Sequence, residues 1–193
     1  MPSRDSSPVF SGGSQQVPPT RWYPTLPAAG LQSRLVRGSG AFWLSLEGSL
    51  TRALQMRCRQ QFHVDVLSES FTMPSVEEAL TLGLPLRQRA WIREVQLCGD
   101  GEPWVMARTV IPRQTLTGKG RRLRHLGRKP LGAWLFSRPE WRRGAFQTGI
   151  CQRTTKHDQP RIARRSRFYS GKRHLLVGEY FLPALLGRSG NRE

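Results

Sequence analysis

An α+β fold, a single antiparallel β-sheet of about six strands with a few helices, is predicted by three observations. Runs with the two-residue period of a strand recur along the chain. Two pairs of these runs flank short turns, Cys98-Gly-Asp-Gly-Glu102 and Ser170-Gly-Lys172, and so make hairpins. The helical periodicity that remains is confined to short stretches. The sum is one α+β domain without an internal repeat.

Taken in order, residues 1–28 carry Pro18-Pro19, Pro24 and Pro27 among Ser, Gly and Gln. Such a segment has too little apolar surface to order itself, so a flexible tail is expected there, one whose deletion leaves stability unchanged. The domain is expected over 29–186, with a second flexible tail over 187–193. Trp43, Leu46, Leu50 and Leu54 recur at helical spacing, interrupted at Gly48-Ser49, where Ser49 caps a second helix starting at Leu50. Phe62 to Leu67 alternates as a strand, and Val76 to Leu82, within a connection, has room for one helical turn. Strands are expected over about 89–97 and 103–112, paired antiparallel. Thr117 to Arg128 reads as a helix ended by Pro130-Leu-Gly132, with a further short helix over Leu131 to Phe136. Gly144 to Ile150, Arg164 to Tyr169 and Leu175 to Leu182 complete the six strands.

The 193 residues fit a single domain with a real core, and the 37% hydrophobic fraction and six Trp agree. A net charge of +18 attracts polyanions, anionic membrane surfaces and acidic small molecules alike. Cys58, Cys98 and Cys151 are odd in number and widely spaced, which favours neither disulfides nor a zinc site. The first residues lack the apolar core of a signal peptide, and no stretch approaches the roughly 18 apolar residues of a membrane span. A soluble, cytoplasmic protein is expected.

Three charged residues interrupt apolar strand faces. Arg93 shares a face with Trp91, Val95 and Leu97; Glu179 shares one with Leu175, Val177 and Phe181; Arg108 lies beside Trp104, Met106 and Val110. Burying an unpaired charge costs several kcal/mol or more, roughly, so such residues meet a partner or a ligand. Pairing of the two central strands would bring Arg93 and Arg108 onto one face, and the trio describes an anion pocket. A structural ion network is the competing reading. Glu94, on the other face of its strand, is expected to be an ordinary solvent-facing acid.

Other signals are weaker. The four histidines, His63, His125, His157 and His174, have no metal spacing and are expected at the surface. Gly38-Ser-Gly40 and Gly118-Lys-Gly120 lack the rest of a nucleotide-binding loop. The basic cluster Arg121-Arg-Leu-Arg-His125 with Arg128-Lys129 falls mostly on the solvated side of its helix, and Arg161, Arg164, Arg165 and Arg167 have no interleaved exposed aromatics on which bases would stack.

Trp91-Ile-Arg-Glu-Val95, Gly101-Glu-Pro-Trp104, Ala107-Arg-Thr-Val-Ile-Pro112, Lys129-Pro-Leu-Gly132 with Leu135-Phe136, Arg164-Arg-Ser-Arg167 and Glu179-Tyr-Phe-Leu-Pro183 together resemble the chorismate pyruvate-lyase family. The match in order and spacing runs from about Leu44 to Pro183. The resemblance implies a chorismate lyase-like antiparallel sheet with helices. It also implies conversion of chorismate to 4-hydroxybenzoate and pyruvate, the first step of bacterial ubiquinone synthesis, without metal or cofactor. By position, it makes Arg93 the partner of the ring carboxylate and Glu179 that of the ring hydroxyl, with backbone contacts from Leu50 and Leu131. It gives Arg108 to the enolpyruvyl carboxylate, so that Glu179, Arg93 and Arg108 form the catalytic set. Chorismate is then the partner of a monomer that needs no nucleic acid, while the charge of +18, which the family does not require, would steer the chorismate dianion or hold the protein weakly at anionic membrane surfaces. A sensor domain is opposed by the absence of a helix-turn-helix segment, and an RNA-binding protein rests on charge alone.

Overall fold

The computed structural model of the chain describes residues 17–152 and 158–187. Its strands are β1 Thr20–Tyr23, β2 Phe62–Thr72, β3 Ala90–Gly99, β4 Glu102–Ile111, β5 Arg142–Arg143, β6 Gln147–Cys151, β7 Ile162–Ser170 and β8 Arg173–Phe181. All pair antiparallel in one sheet of order β1-β6-β7-β8-β4-β3-β2, and β5 pairs with the far end of β7. The helices are α1 Leu26–Gly30, α2 Ser39–Ser45, α3 Leu50–Arg57, α4 Val76–Leu82, α5 Leu131–Phe136 and α6 Pro183–Leu186.

The sheet has eight strands rather than about six. One of the additions, β5, is two residues long and carries no periodicity. The other, β1, corrects the tail expected over 1–28: Thr20 to Tyr23 pair with Cys151 to Thr148, and Thr25 caps α1. Proline composition hid this strand, although Trp22 packs edge-on to Tyr180 with ring centres 6.2 Å apart. Removing residues 1–28 is therefore expected to lower the melting temperature by about 5–10 °C, since the half-buried Trp22 and Tyr23 each contribute part of the roughly 1.5–3 kcal/mol of full burial. An unchanged melting curve would show β1 to be dispensable. The tail positions 1–16 and 188–193 lie outside the described residues.

Local chemistry explains the elements the sequence predicted. Asp100 and Gly101, both at positive φ (54° and 83°), make the two-residue turn between β3 and β4. Ser49 caps α3 by accepting from the Arg52 N–H, and Ser75 with Glu78 forms a capping box on α4. Gly83, left-handed at φ 65°, ends α4. The segment Gly118–His125, expected to be α-helical, is a 3-10 helix in which Gly120 lies too close to the Thr115 carbonyl to admit a Cβ.

The sheet separates two packed faces. On the first, Leu44, Leu50 and Leu54 meet Val95, Leu97 and Phe181, while Leu123, Leu126 and Leu135 meet Ile111, Phe168 and Leu175. On the second, α4 sets Ala79 and Leu82 against Ile92, Val110 and Leu176. A bulge in β2 between Val66 and Ser68 changes which residues share a face, and brings Glu69 opposite Arg93. No described helix is long and apolar enough to cross a membrane.

Candidate active site

A cavity of about 630 Å³, counted to its open mouth, lies on the first face. Its floor is made of every second residue of four adjacent strands: Arg93, Val95 and Leu97 of β3, Ala107 and Thr109 of β4, Ser166 and Phe168 of β7, Val177 and Glu179 of β8. The start of α3 and the length of α5 roof it, with Arg143 and Phe146 at one side.

Arg93 is 2% exposed and rigidly held. Its Nη1 pairs with Glu69, and its Nη2 donates to the Gly127 carbonyl at 2.7 Å and the Lys129 carbonyl at 3.3 Å. These contacts leave part of the five-donor guanidinium for an anion in the cavity that Arg93 lines. Because Glu69 is an acid on the edge strand, the arginine is neutralised as well as positioned.

Glu179 is the single acid or histidine lining this cavity among the described residues. Its Oε2 accepts from Arg164 Nε at 2.6 Å. Arg164, 1% exposed, also donates through Nη1 to the Trp43 carbonyl at 3.0 Å and the Leu46 carbonyl at 2.6 Å. One arginine thus ties Glu179 to the α2–α3 segment. Arg164 stands by sequence in a basic cluster with no alternation to mark it, and only the β7–β8 register, which sets it opposite Glu179, reveals this role.

Leu50 and Leu131 are each the first residue of a helix and line the cavity. First-turn N–H groups have no partner within their helix and sit at its positive end, so both present donors suited to an anionic or polar ligand. Gly132 allows the two helix starts to approach: a Cβ there would lie 3.2 Å from Thr51 Oγ1 of α3.

Arg108 is not in the cavity, which corrects its assignment to the catalytic set. In the β3–β4 register Arg93 opposes Thr109 and Glu94 opposes Arg108, so the two arginines point to opposite faces. Met106 and Val110 do accompany Arg108, but on the second face. There it makes a fork with Glu78, Nε at 2.7 Å and Nη2 at 3.1 Å, and donates to Glu94 through Nη1 at 2.6 Å. Burial alone would lower its basicity; the two carboxylates outweigh that and raise it above the ordinary arginine range. Glu94, expected in solvent, is 3% exposed and also accepts from Ser68 Oγ at 3.0 Å.

Arg165, from the second basic cluster, is 6% exposed and pairs with Glu77, its guanidinium 4.2 Å from the Trp22 ring centre. With Arg164 and Arg165 buried, that cluster is no polyanion surface. Of the histidines, His125 is exposed, His63 and His174 are half-buried, and His157 lies outside the described residues. His63, Asp65 and Cys98 do bring metal-ligand atoms together on the β2–β3 edge, with His63 Nε2 3.2 Å from Asp65 Oδ2 and Cys98 Sγ 3.7 Å from it. This group lies outside the cavity, and burial with the neighbouring Asp65 pushes the Cys98 thiol up to about 11.

The family profile described as chorismate lyase matches residues 29–191. The chain is 57% identical over 176 residues to a probable chorismate pyruvate-lyase of Marinobacter nauticus, covering 91% of this chain and 93% of that protein. It is 41% identical over 143 residues to the chorismate pyruvate-lyase of Salmonella arizonae, covering 74% and 81%. Among solved structures, the effector domain of PhnF from Mycobacterium smegmatis shares the fold, with a TM-score of 0.50 and 15% identity over 71% of this chain and 90% of that one.

Proposed function

The chain belongs to the chorismate lyase family, and we propose that the cavity holding Arg93 and Glu179 is where it removes pyruvate from chorismate to leave 4-hydroxybenzoate. The observation that carries the reading is a buried, pre-positioned arginine and a lone carboxylate lining one largely apolar cavity. Chorismate carries a ring carboxylate, a ring hydroxyl and an enolpyruvyl ether. Breaking the ether C–O bond while the hydrogen leaves the hydroxyl-bearing carbon aromatises the ring, and the departing enolpyruvate takes up a proton to become pyruvate. Aromatisation supplies the driving force, so the protein has to orient the substrate, accept a proton and stabilise charge on the leaving group.

Arg93 takes the ring carboxylate, joined by the N–H groups of Leu50 and Leu131 at the two helix starts. Glu179 takes the ring hydroxyl through the oxygen that Arg164 does not occupy. Since no other acid or histidine among the described residues lines the cavity, Glu179 also receives the proton of the adjacent C–H. The free thiols of Cys58, Cys98 and Cys151 support a reducing, cytoplasmic setting.

Incubating the purified protein with chorismate and following the absorbance of 4-hydroxybenzoate, with pyruvate measured separately, tests the reaction; no product would end the proposal. For Glu179→Gln, which keeps shape but not charge, kcat is expected to fall about 100-fold while product affinity changes less than about tenfold. Loss of affinity with little loss of rate would instead leave Glu179 an orienting contact and remove its proton-accepting role.

A further inference from the structure

A dianionic substrate needs a second cation, and Arg108 lies on the wrong face to supply it. The charges lining the cavity leave one candidate. Arg93 is paired with Glu69 and Glu179 with Arg164, whereas no carboxylate among the described residues forms an ion pair with Arg143. Arg143 lines the same cavity from β5, half-buried, while Arg93 is 2% exposed. Its Nη1 donates to the Gly48 carbonyl at 2.9 Å, and its guanidinium lies 4.2 Å from the Phe146 ring centre and 5.4 Å from that of Phe136. In cation–π range of two rings and tethered at one nitrogen, it is a held fork with donors to spare.

We propose that Arg143 binds the enolpyruvyl carboxylate of chorismate. The inference rests on the lyase reading and adds to it an orientation: the ring carboxylate lies deep, at Arg93, and the group that departs lies at the more exposed Arg143. Burial, and next the charge of the neighbouring Arg164, lower the basicity of Arg143 against the smaller opposing pull of Glu179 and Glu47, so an anion placed against it relieves the electrostatic cost that remains. As the ether bond breaks, its electron pair passes to the enolpyruvyl oxygen, and the guanidinium beside that group opposes the charge that develops.

The product distinguishes this role from a structural one, because 4-hydroxybenzoate retains the ring carboxylate and hydroxyl but has lost the group Arg143 is assigned. In Arg143→Ala, kcat/KM for chorismate is expected to fall about 100-fold while the Kd for 4-hydroxybenzoate, measured by calorimetry, stays within about threefold of the unaltered protein. Arg143→Lys, which keeps the charge without the fork, is expected to recover about tenfold and provides a second variant if alanine disturbs folding. A parallel loss of product affinity would overturn the proposal and make Arg143 a tether for Gly48. An unchanged kcat/KM would overturn it as well. Failure of the unaltered protein to consume chorismate would count against the lyase reading itself.

Discussion

Replacing Arg93 with alanine is expected to reduce kcat/KM for chorismate by roughly 10²–10³-fold, equivalent to about 3–4 kcal/mol, and to weaken 4-hydroxybenzoate binding by a similar factor. Both ligands carry the ring carboxylate, so both should suffer, unlike the effect at Arg143. The loss is large because the guanidinium is already oriented by Glu69 and by the carbonyls of Gly127 and Lys129; the free protein bears the cost of ordering it, and the ligand meets a finished site. Glu69, left behind, is 22% exposed on an edge strand and can turn to water, so stability should fall less than activity. Steady-state kinetics and a melting curve of Arg93→Ala check this. Near-normal turnover would remove Arg93 from the site.

The second large effect concerns stability. Arg108→Met removes the guanidinium shared by Glu78 and Glu94, whose side chains are 10% and 4% exposed. Unfolding free energy is expected to drop by about 3 kcal/mol or more, a fall of roughly 6–12 °C in melting temperature. At a temperature where the variant is folded, its Kd for 4-hydroxybenzoate should be unchanged, because Arg108 lies across the sheet from the cavity. Adding Glu78→Gln and Glu94→Gln should restore part of the loss by removing the stranded charges. A variant that melted normally but lost product affinity would return Arg108 to the active site.

Much of this arrangement was legible from alternation. Arg93 and Glu179 stood out as charges among apolar neighbours, and both line the cavity. The Asp100-Gly101 turn, the Ser49 cap and the separate helices α2 and α3 follow from local chemistry that needs no partner strand. Arg108 failed because a period of two says which residues share a face within one strand, and cross-strand register decides which face of the sheet that is. Glu69 was hidden by the bulge after Val66, where β2 loses its alternation. Arg164 and Arg143 were hidden by composition: with 31 Lys and Arg against 13 acids, an inward arginine cannot be told from a solvated one by charge alone. Their partners, the carbonyls of Trp43, Leu46 and Gly48, lie about a hundred residues away along the chain.

The opposite charges at Arg93 and Glu94 also act as a proofreader of strand assembly. If β3 were to pair with β4 one position out of step, so that Arg93 came opposite Arg108, Glu94 would swing into the apolar cavity, across β4 from Glu179. The cavity face would then carry two carboxylates in place of an arginine and a carboxylate, and the other face two arginines, where the native pairing mixes the signs on each. A misaligned hairpin in this protein is therefore rejected twice, once by each surface of the sheet, before any substrate is present to test it.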